Sequence, residues 1–464
     1  MRKETILFIC LAVFLQTITF AQMQGVITSS TEREVLNIEP VVNTIKVKKY
    51  SDRKIITLCK DNTTGCYCFV KTETGTTSVN YGILPSNFEV YDFKILGENI
   101  YFCGQYNTNN TTHGFIANIS YNALFTGGNF DYDEIPQTFL VYELEVYYNK
   151  VTDSDDIVAL GTNSTSTTYY CINYNTSLSL SNYNLFHTQR VLQSITQTEN
   201  YIGIVASYPA TNEFEIIRFL KNSLYTNQGQ TWQFAYSGYK WIDLRPENRT
   251  YAYLSEAIDD TDEMLVATSV DYHGTHPDIG LTLNCRTVNV YKIELSTLQL
   301  LSTQVIPTEG KPYLKDMVFI PNNETLNIVT NVQIGDMFGG FPYCCAFDID
   351  IVYNVSENVT TLYSADYTIP NGSQEWLHLM NAIERYDSDY YIVAGKYKDD
   401  NLYLFDKNIL SASTDCYQTY YAKVFLDPSL PITSSTYQFY PSTKLGFTSK
   451  GSISSTSTVQ YVND

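Results

Sequence analysis

Charge is what this sequence has least of. Only 17% of its 464 residues are Asp, Glu, Lys or Arg, against about 25% in an ordinary soluble domain. That shortage disfavours long exposed helices, which carry Glu and Lys on their outer face. Basic residues are scarcer still: 29 Lys and Arg stand against 49 Asp and Glu, a formal charge of -20. No Lys/Arg cluster offers a local exception, which argues against a phosphate-backbone ligand and therefore against nucleic acid.

Other absences narrow the field further. Beyond the N-terminus no apolar run approaches the roughly 18 residues of a membrane span. There is no Gly-x-Ser-x-Gly, no His-Glu-x-x-His and no phosphate-binding glycine loop. Cys66-Tyr67-Cys68 and the vicinal Cys344-Cys345 lack the two-residue gap by which two thiolates grip one zinc ion. The acidic runs Asp153-Ser154-Asp155-Asp156 and Asp259-Asp260-Thr261-Asp262-Glu263 lack the spaced ligands, glycine and terminal glutamate of an EF-hand loop. Neither a metal nor a cofactor is expected.

What is present is tyrosine, 40 of them, within a 44% hydrophobic chain. Aromatic and β-branched residues between polar turns favour strands. The first 21 residues read as a signal peptide: Arg2 and Lys3, an apolar stretch from Ile6 to Phe14, then Thr19-Phe20-Ala21 at the cleavage position. Cleavage near Ala21 places the mature protein outside the cytoplasm, secreted or periplasmic or at the cell surface. Of the ten cysteines, Cys10 falls in this leader, and the odd remainder includes a local candidate bridge from Cys59 to Cys66 or Cys68.

Self-comparison finds one unit repeated seven times. In each, an acidic or Asn-containing turn enters a short apolar strand that ends in a small residue. The copies end at Cys59, Gly104, Gly161, Ser207, Thr268, Thr330 and Gly395. An alternating strand precedes the turn, as in Val90-Tyr-Asp-Phe-Lys-Ile95 and Val141-Tyr-Glu-Leu-Glu-Val146. A third strand follows the small residue, for example Gly114–Ile119, Val288–Ile293 and Leu402–Phe405, and a weaker fourth follows in most units. The recurring acidic turn is assigned the job of starting the second strand through Asx-type hydrogen bonds.

Four short strands repeated seven times resemble the blades of a seven-bladed β-propeller, all-β, with four-stranded antiparallel blades. No Trp-Asp ending marks WD40 blades, no Gly-Gly per blade marks kelch, and the sialidase box is absent. The pattern is similar to loosely marked secreted propellers of gut and oral Bacteroidota, whose signal peptides often end in Phe-Ala-Gln as here. The resemblance implies architecture and says nothing of activity. It divides the chain into a signal peptide at 1–21, a leader at 22–37 able to donate a closing strand, the propeller at 38–427, and a Ser/Thr-rich tail or terminal hairpin at 428–464. Tandem β-sandwiches would also give many strands, but no linker interrupts residues 40–420.

Ligands of propellers usually meet the face where second and third strands are joined. The two longest such loops are expected at Ser269–Arg286 and Asn331–Cys344. The first carries Tyr272, His273, His276 and Asp278, a polar group able to bind or to exchange protons. The second carries Phe338, Phe341 and Tyr343, rings on which a sugar can stack. Trp241, between blades four and five, and Trp376 and His378, at the start of blade seven, are expected on the same face. The reading is a non-enzymatic propeller that binds a glycan or protein. The alternatives are a glycan-active hydrolase or lyase using channel-mouth carboxylates or histidines, and a structural component of a surface assembly. No catalytic residue is assigned.

Overall fold

The computed structural model describes the strands and many of the short connections between residues 38 and 461. Residues 1–37, 222–229, 235–248, 276–281, 335–344, 365–377, 403–417, 425–437, 453–458 and 462–464, with several shorter gaps, lie outside the described residues. The chain runs as successive groups of four strands. The first group is β1 (Ile38–Ser51), β2 (Lys54–Asp61), β3 (Tyr67–Glu73) and β4 (Ser78–Ile83). The second is β5 (Phe88–Leu96), β6 (Asn99–Thr108), β7 (Thr111–Ser120) and β8 (Asn129–Ile135), with one short helix α1 (Tyr121–Thr126) before β8. The third is β9 (Leu140–Asn149), β10 (Ser154–Thr162), β11 (Tyr169–Asn175) and β12 (Leu180–Phe186). The fourth is β13 (Val191–Gln197), β14 (Tyr201–Tyr208), β15 (Glu213–Leu220) and β16 (Gln230–Phe234).

The fifth group is β17 (Arg249–Ala257), β18 (Glu263–Thr275), β19 (Thr282–Glu294) and β20 (Gln299–Thr308). The sixth is β21 (Lys311–Ile320), β22 (Thr325–Ile334), β23 (Cys345–Asn354) and β24 (Val359–Ser364). The last is β25 (His378–Arg385), β26 (Tyr391–Tyr397), β27 (Asn401–Leu402) and β28 (Gln418–Val424). In this group β28 takes the third position beside β26 and β27 lies outside it. The expected third strand at Leu402–Phe405 is therefore corrected: the partner of β26 comes from further along the chain, at Gln418–Val424, and Leu402 ends the short outer strand.

The first strands contact one another in a cycle: β1 to β5, β9, β13, β17, β21, β25 and back to β1. Sheets arranged radially about a common axis, each with its first strand innermost, make a β-propeller. The ring closes through β1 itself, whose start pairs with β27 (Ile38 opposite Leu402) before the strand crosses to β2 from Val42 onward. Apolar cores lie between neighbouring sheets. One of them joins the first two: Phe69 of the first sheet packs against Phe93 and Phe102 of the second, where Phe88 is surrounded by Tyr106, Phe115, Phe130 and Tyr132. Tyrosine suits such faces because its ring packs while its hydroxyl reaches a polar edge. Tyr142 Oη thus donates to Leu192 O of the next sheet at 2.7 Å.

The C-terminal segment pairs with outer edges. β29 (Gln438–Phe439) and β30 (Thr443–Lys444) run parallel to β4, β31 (Gly446–Ser452) to β8, and β32 (Val459–Tyr461) to β12.

Each first strand described carries a register shift against its second strand, skipping Ile45, Tyr91, Tyr142, Gln193, Tyr251, Lys315 and Asn381. The small residue read from the sequence stands opposite the residue just before the skip at Cys59, Gly104, Gly161, Thr330 and Gly395; Ala206 and Val270 occupy that place in the fourth and fifth sheets. The bulge pushes the first strand's backbone toward its partner. A Cβ on Gly104 would stand 1.8 Å from Glu89 O.

Candidate functional site: the charged channel

The bulges decide what faces the axis. The residues immediately after the skip include Lys46, Asp92, Glu143, Ser194 and Asp316, and two positions on stand Lys48, Lys94, Glu145 and Glu384. All of these line one cavity of about 500 Å³, to which every first strand contributes, and which extends to Asp259 and Arg385 near the turns between first and second strands.

Most of the charges are tied across sheet boundaries. Lys46 Nζ donates to Asp316 Oδ1 at 2.9 Å, Lys48 to Glu384 at 2.5 Å and Lys94 to Glu145 at 2.6 Å, while Arg385 pairs with Asp259. The carboxylates also accept from main chain of the following sheet: Leu144 N–H donates to Asp92 at 3.0 Å and Ile383 N–H to Asp316 at 3.2 Å. Ser194 Oγ donates to Glu143 at 3.1 Å and lies 2.8 Å from Ser255 Oγ. Burial works against the charged form of Lys46 and Lys94, but the surrounding carboxylates together outweigh it, Asp316 with Asp92 and Glu143 at Lys46 and Glu145 with Asp92 and Glu384 at Lys94, and hold both pKa values above the ordinary lysine value.

Two carboxyls behave differently. Burial, reinforced by Asp92 and only partly offset by Lys46, pushes Glu143 up to about 8. Burial pushes Glu256 up to about 8 as well, against the pull of Lys94 and Lys48 and with Glu384 and Glu145 adding to the push. Glu256 lines the cavity without a hydrogen bond or ion pair to any described residue.

The acidic turn at Asp259–Glu263 serves as a latch to the neighbouring blade as well as a strand starter. Asp262 accepts from Asn200 N–H at 2.9 Å, from Asn200 Nδ2 at 3.0 Å and from Thr198 Oγ1 at 3.2 Å, all in the preceding sheet. Within the same turn Thr261 Oγ1 accepts from Glu263 N–H at 3.0 Å, the local bond the sequence predicts. Among the described residues no group of three His, Cys, Asp or Glu side chains could hold a metal ion.

Of the residues singled out from sequence, Trp241, His276, Asp278, Phe338, Phe341, Tyr343 and Trp376 lie outside the described residues. His378 opens β25, opposite Tyr397. Tyr272 and His273 sit in β18 opposite Cys285 and Asn284, so most of the expected Ser269–Arg286 loop is paired strand out to Thr275 and Thr282. Likewise β22 runs on through Asn331 to Ile334, so the start of the second expected loop is paired strand. The expected bridge from Cys59 is also corrected. Cys59, Cys66 and Cys68 are free thiols, with Cys68 directly opposite Cys59 in the β2–β3 register and both buried against the last sheet. Sequence reasoning missed the channel charges, although Asp92 and Lys94, or Glu143 and Glu145, already alternate within strands read as period two.

The fold and this charged axis define an all-β propeller of four-stranded antiparallel blades. No family model and no curated protein matches the chain. Among solved structures it is similar to the Dos1 propeller, at 8% identity over 88% of this chain and 84% of that one, with a TM-score of 0.45. It is also similar to the polysaccharide lyase Uly1, at 8% identity over 86% and 98% with a TM-score of 0.43, and to the N-terminal domain of Nup159, at 10% over 81% and 94% with a TM-score of 0.34. Among the described residues no helix is long and apolar enough to cross a membrane.

Proposed function

We propose that this is a secreted or surface-associated, seven-bladed, non-enzymatic propeller that binds a glycan or protein partner on the face bearing the β18–β19 hairpin. One observation carries the reading. Among the described residues β17 pairs with β18 as far as Asp271 and β20 with β19 as far as Arg286, while β18 and β19 stay paired to Thr275 and Thr282. Among the described residues, 272–275 and 282–285 thus form a two-stranded ribbon that continues past the four-stranded part of the blade, with Tyr272 and His273 on it. Main-chain edges and an aromatic residue on a projecting ribbon suit a macromolecular ligand. Replacing residues 272–285 by a short Gly-Ser turn should leave the blade folded and abolish binding on a glycan array or in a partner pull-down. Retained binding overturns the reading, and so does turnover in a polysaccharide screen.

A second reading, a glycan-active hydrolase or lyase, is favoured by the raised carboxyls of the channel, Glu143 and Glu256, of which Glu143 has a hydroxyl partner in Ser194. A carboxyl that keeps its proton at neutral pH is what general acid catalysis requires. It predicts turnover that Glu143→Gln abolishes while ligand binding persists.

A further inference from the structure

Ionisation of Glu256 puts a negative charge into the channel that the side chains around it do not cancel. Around Glu256 stand Lys48 from β1, Lys94 from β5, Glu145 from β9 and Glu384 from β25. The two lysines are already committed, Lys48 to Glu384 and Lys94 to Glu145. From β13 the neighbouring polar group is Gln197, whose amide donates to Glu145 at 3.2 Å and to Val146 O at 2.5 Å; from β21 it is Asp316, held by Lys46. Lys49, also in the lining, lies over the Tyr386 ring, and Arg385 is held by Asp259. Once Glu256 ionises, it and its four charged neighbours Lys48, Lys94, Glu145 and Glu384 leave one negative charge over, on the carboxylate that has no hydrogen bond or ion pair to a described residue.

We propose that the channel cavity is a binding site for a small organic ammonium ion, whose N–H groups are accepted by the Glu256 carboxylate. The cavity volume, about 500 Å³, lies within the roughly 300–1,000 Å³ of small-molecule sites. Its walls are polar and include the mutually bonded hydroxyls of Ser194 and Ser255. An ammonium suits the site better than a metal ion, because no group of three metal-ligating side chains occurs among the described residues. Its charge would balance Glu256 without displacing either lysine. The site is independent of the ribbon, since β17 places Glu256 near the opposite end of its blade from Asp271.

Calorimetric titration of the full chain with methylammonium and with ethanolamine tests this. Saturable one-to-one binding is expected at about pH 9, weakening roughly tenfold per pH unit below about 8 because the carboxyl must ionise. Proton release, read from buffers of different ionisation enthalpy, should accompany binding at about pH 7. Glu256→Gln should weaken binding at least about tenfold at high pH, the loss of one charge-assisted hydrogen bond, while the ribbon replacement leaves it unchanged. Absence of saturable binding, equal binding by Glu256→Gln, or pH-independent binding without proton release overturns the proposal. Displacement by sodium or magnesium at equal concentration overturns the assignment to an organic ammonium.

Discussion

Asp92 on β5 accepts a hydrogen bond at 3.0 Å from the main-chain N–H of Leu144 on the neighbouring first strand. The same bond recurs between Asp316 and Ile383 N–H at 3.2 Å. Both carboxylates directly follow a bulge, and both sit where their blade meets the next. The ring is therefore sewn together near its axis, by side chain to main chain, in addition to the apolar packing between sheets.

Removing one of these stitches leaves a buried N–H without its acceptor, which costs about 1–3 kcal/mol. Asp92→Ala should lower unfolding stability in urea by about that amount. Asp92→Asn, which keeps a carbonyl oxygen, should recover part of it. Equal stability of all three proteins would show that the stitch contributes nothing.

The Lys46–Asp316 pair is partly exposed, with side-chain accessibilities of 26% and 12%. Solvent screening therefore limits it to a coupling of about 1 kcal/mol in a double-mutant cycle of Lys46→Met and Asp316→Asn. The single change Lys46→Met should cost more than the coupling, because it also leaves the Asp316 carboxylate without its cation.

Stability should depend on pH in an unusual sense. Glu143 and Glu256 are raised from 4.5 to about 8 in the fold. Between those values the native state holds protons that the unfolded chain has released, so stability is greatest below about pH 4.5 for these two groups and falls as pH rises to about 8. Glu256→Gln should flatten that slope. Its melting temperature should rise above the parent's at about pH 8 and match it at about pH 4.5; a parallel pair of pH profiles would refute the assignment.

Two glycines separate the bulge from the turn. Gly97 has φ +58 with open space around it, so Gly97→Ala should cost only the strain of a left-handed backbone, about 1 kcal/mol. Gly104→Ala places a Cβ 1.8 Å from Glu89 O. A carbonyl in the paired strand cannot yield without breaking the bulge, and a loss above about 3 kcal/mol is expected in thermal melts.

Much of this architecture is legible in the chain. Short apolar strands after acidic turns, recurring in blade after blade, report the second strands because a strand buried on both faces needs an unbroken apolar run. In the first, second, third, sixth and last sheets the small residue reports a position opposite the bulge that the sequence could not name. Gly104 and Gly161 are small because a neighbouring backbone crowds them, Gly104 against Glu89 O and Gly161 against Leu140 O. The third strand of the last blade escapes a reading by pattern because it follows a separate two-residue edge strand, and two residues carry no periodicity. The Cys59–Cys68 opposition follows from register, which a local spacing of thiols does not contain.

The sequence by itself determined that the protein is all-β, repetitive and short of charge, since local propensity and alternation act within one strand and the residues beside it. Only the tertiary structure decided what the few charges do. Lys46 and Asp316 are 270 residues apart along the chain and Lys48 and Glu384 are 336 apart, and ring closure alone brings them within hydrogen-bond reach. The scarce charge is accordingly concentrated in part on the axis, where each pair joins two blades and where Glu256 is left without a partner among the described residues.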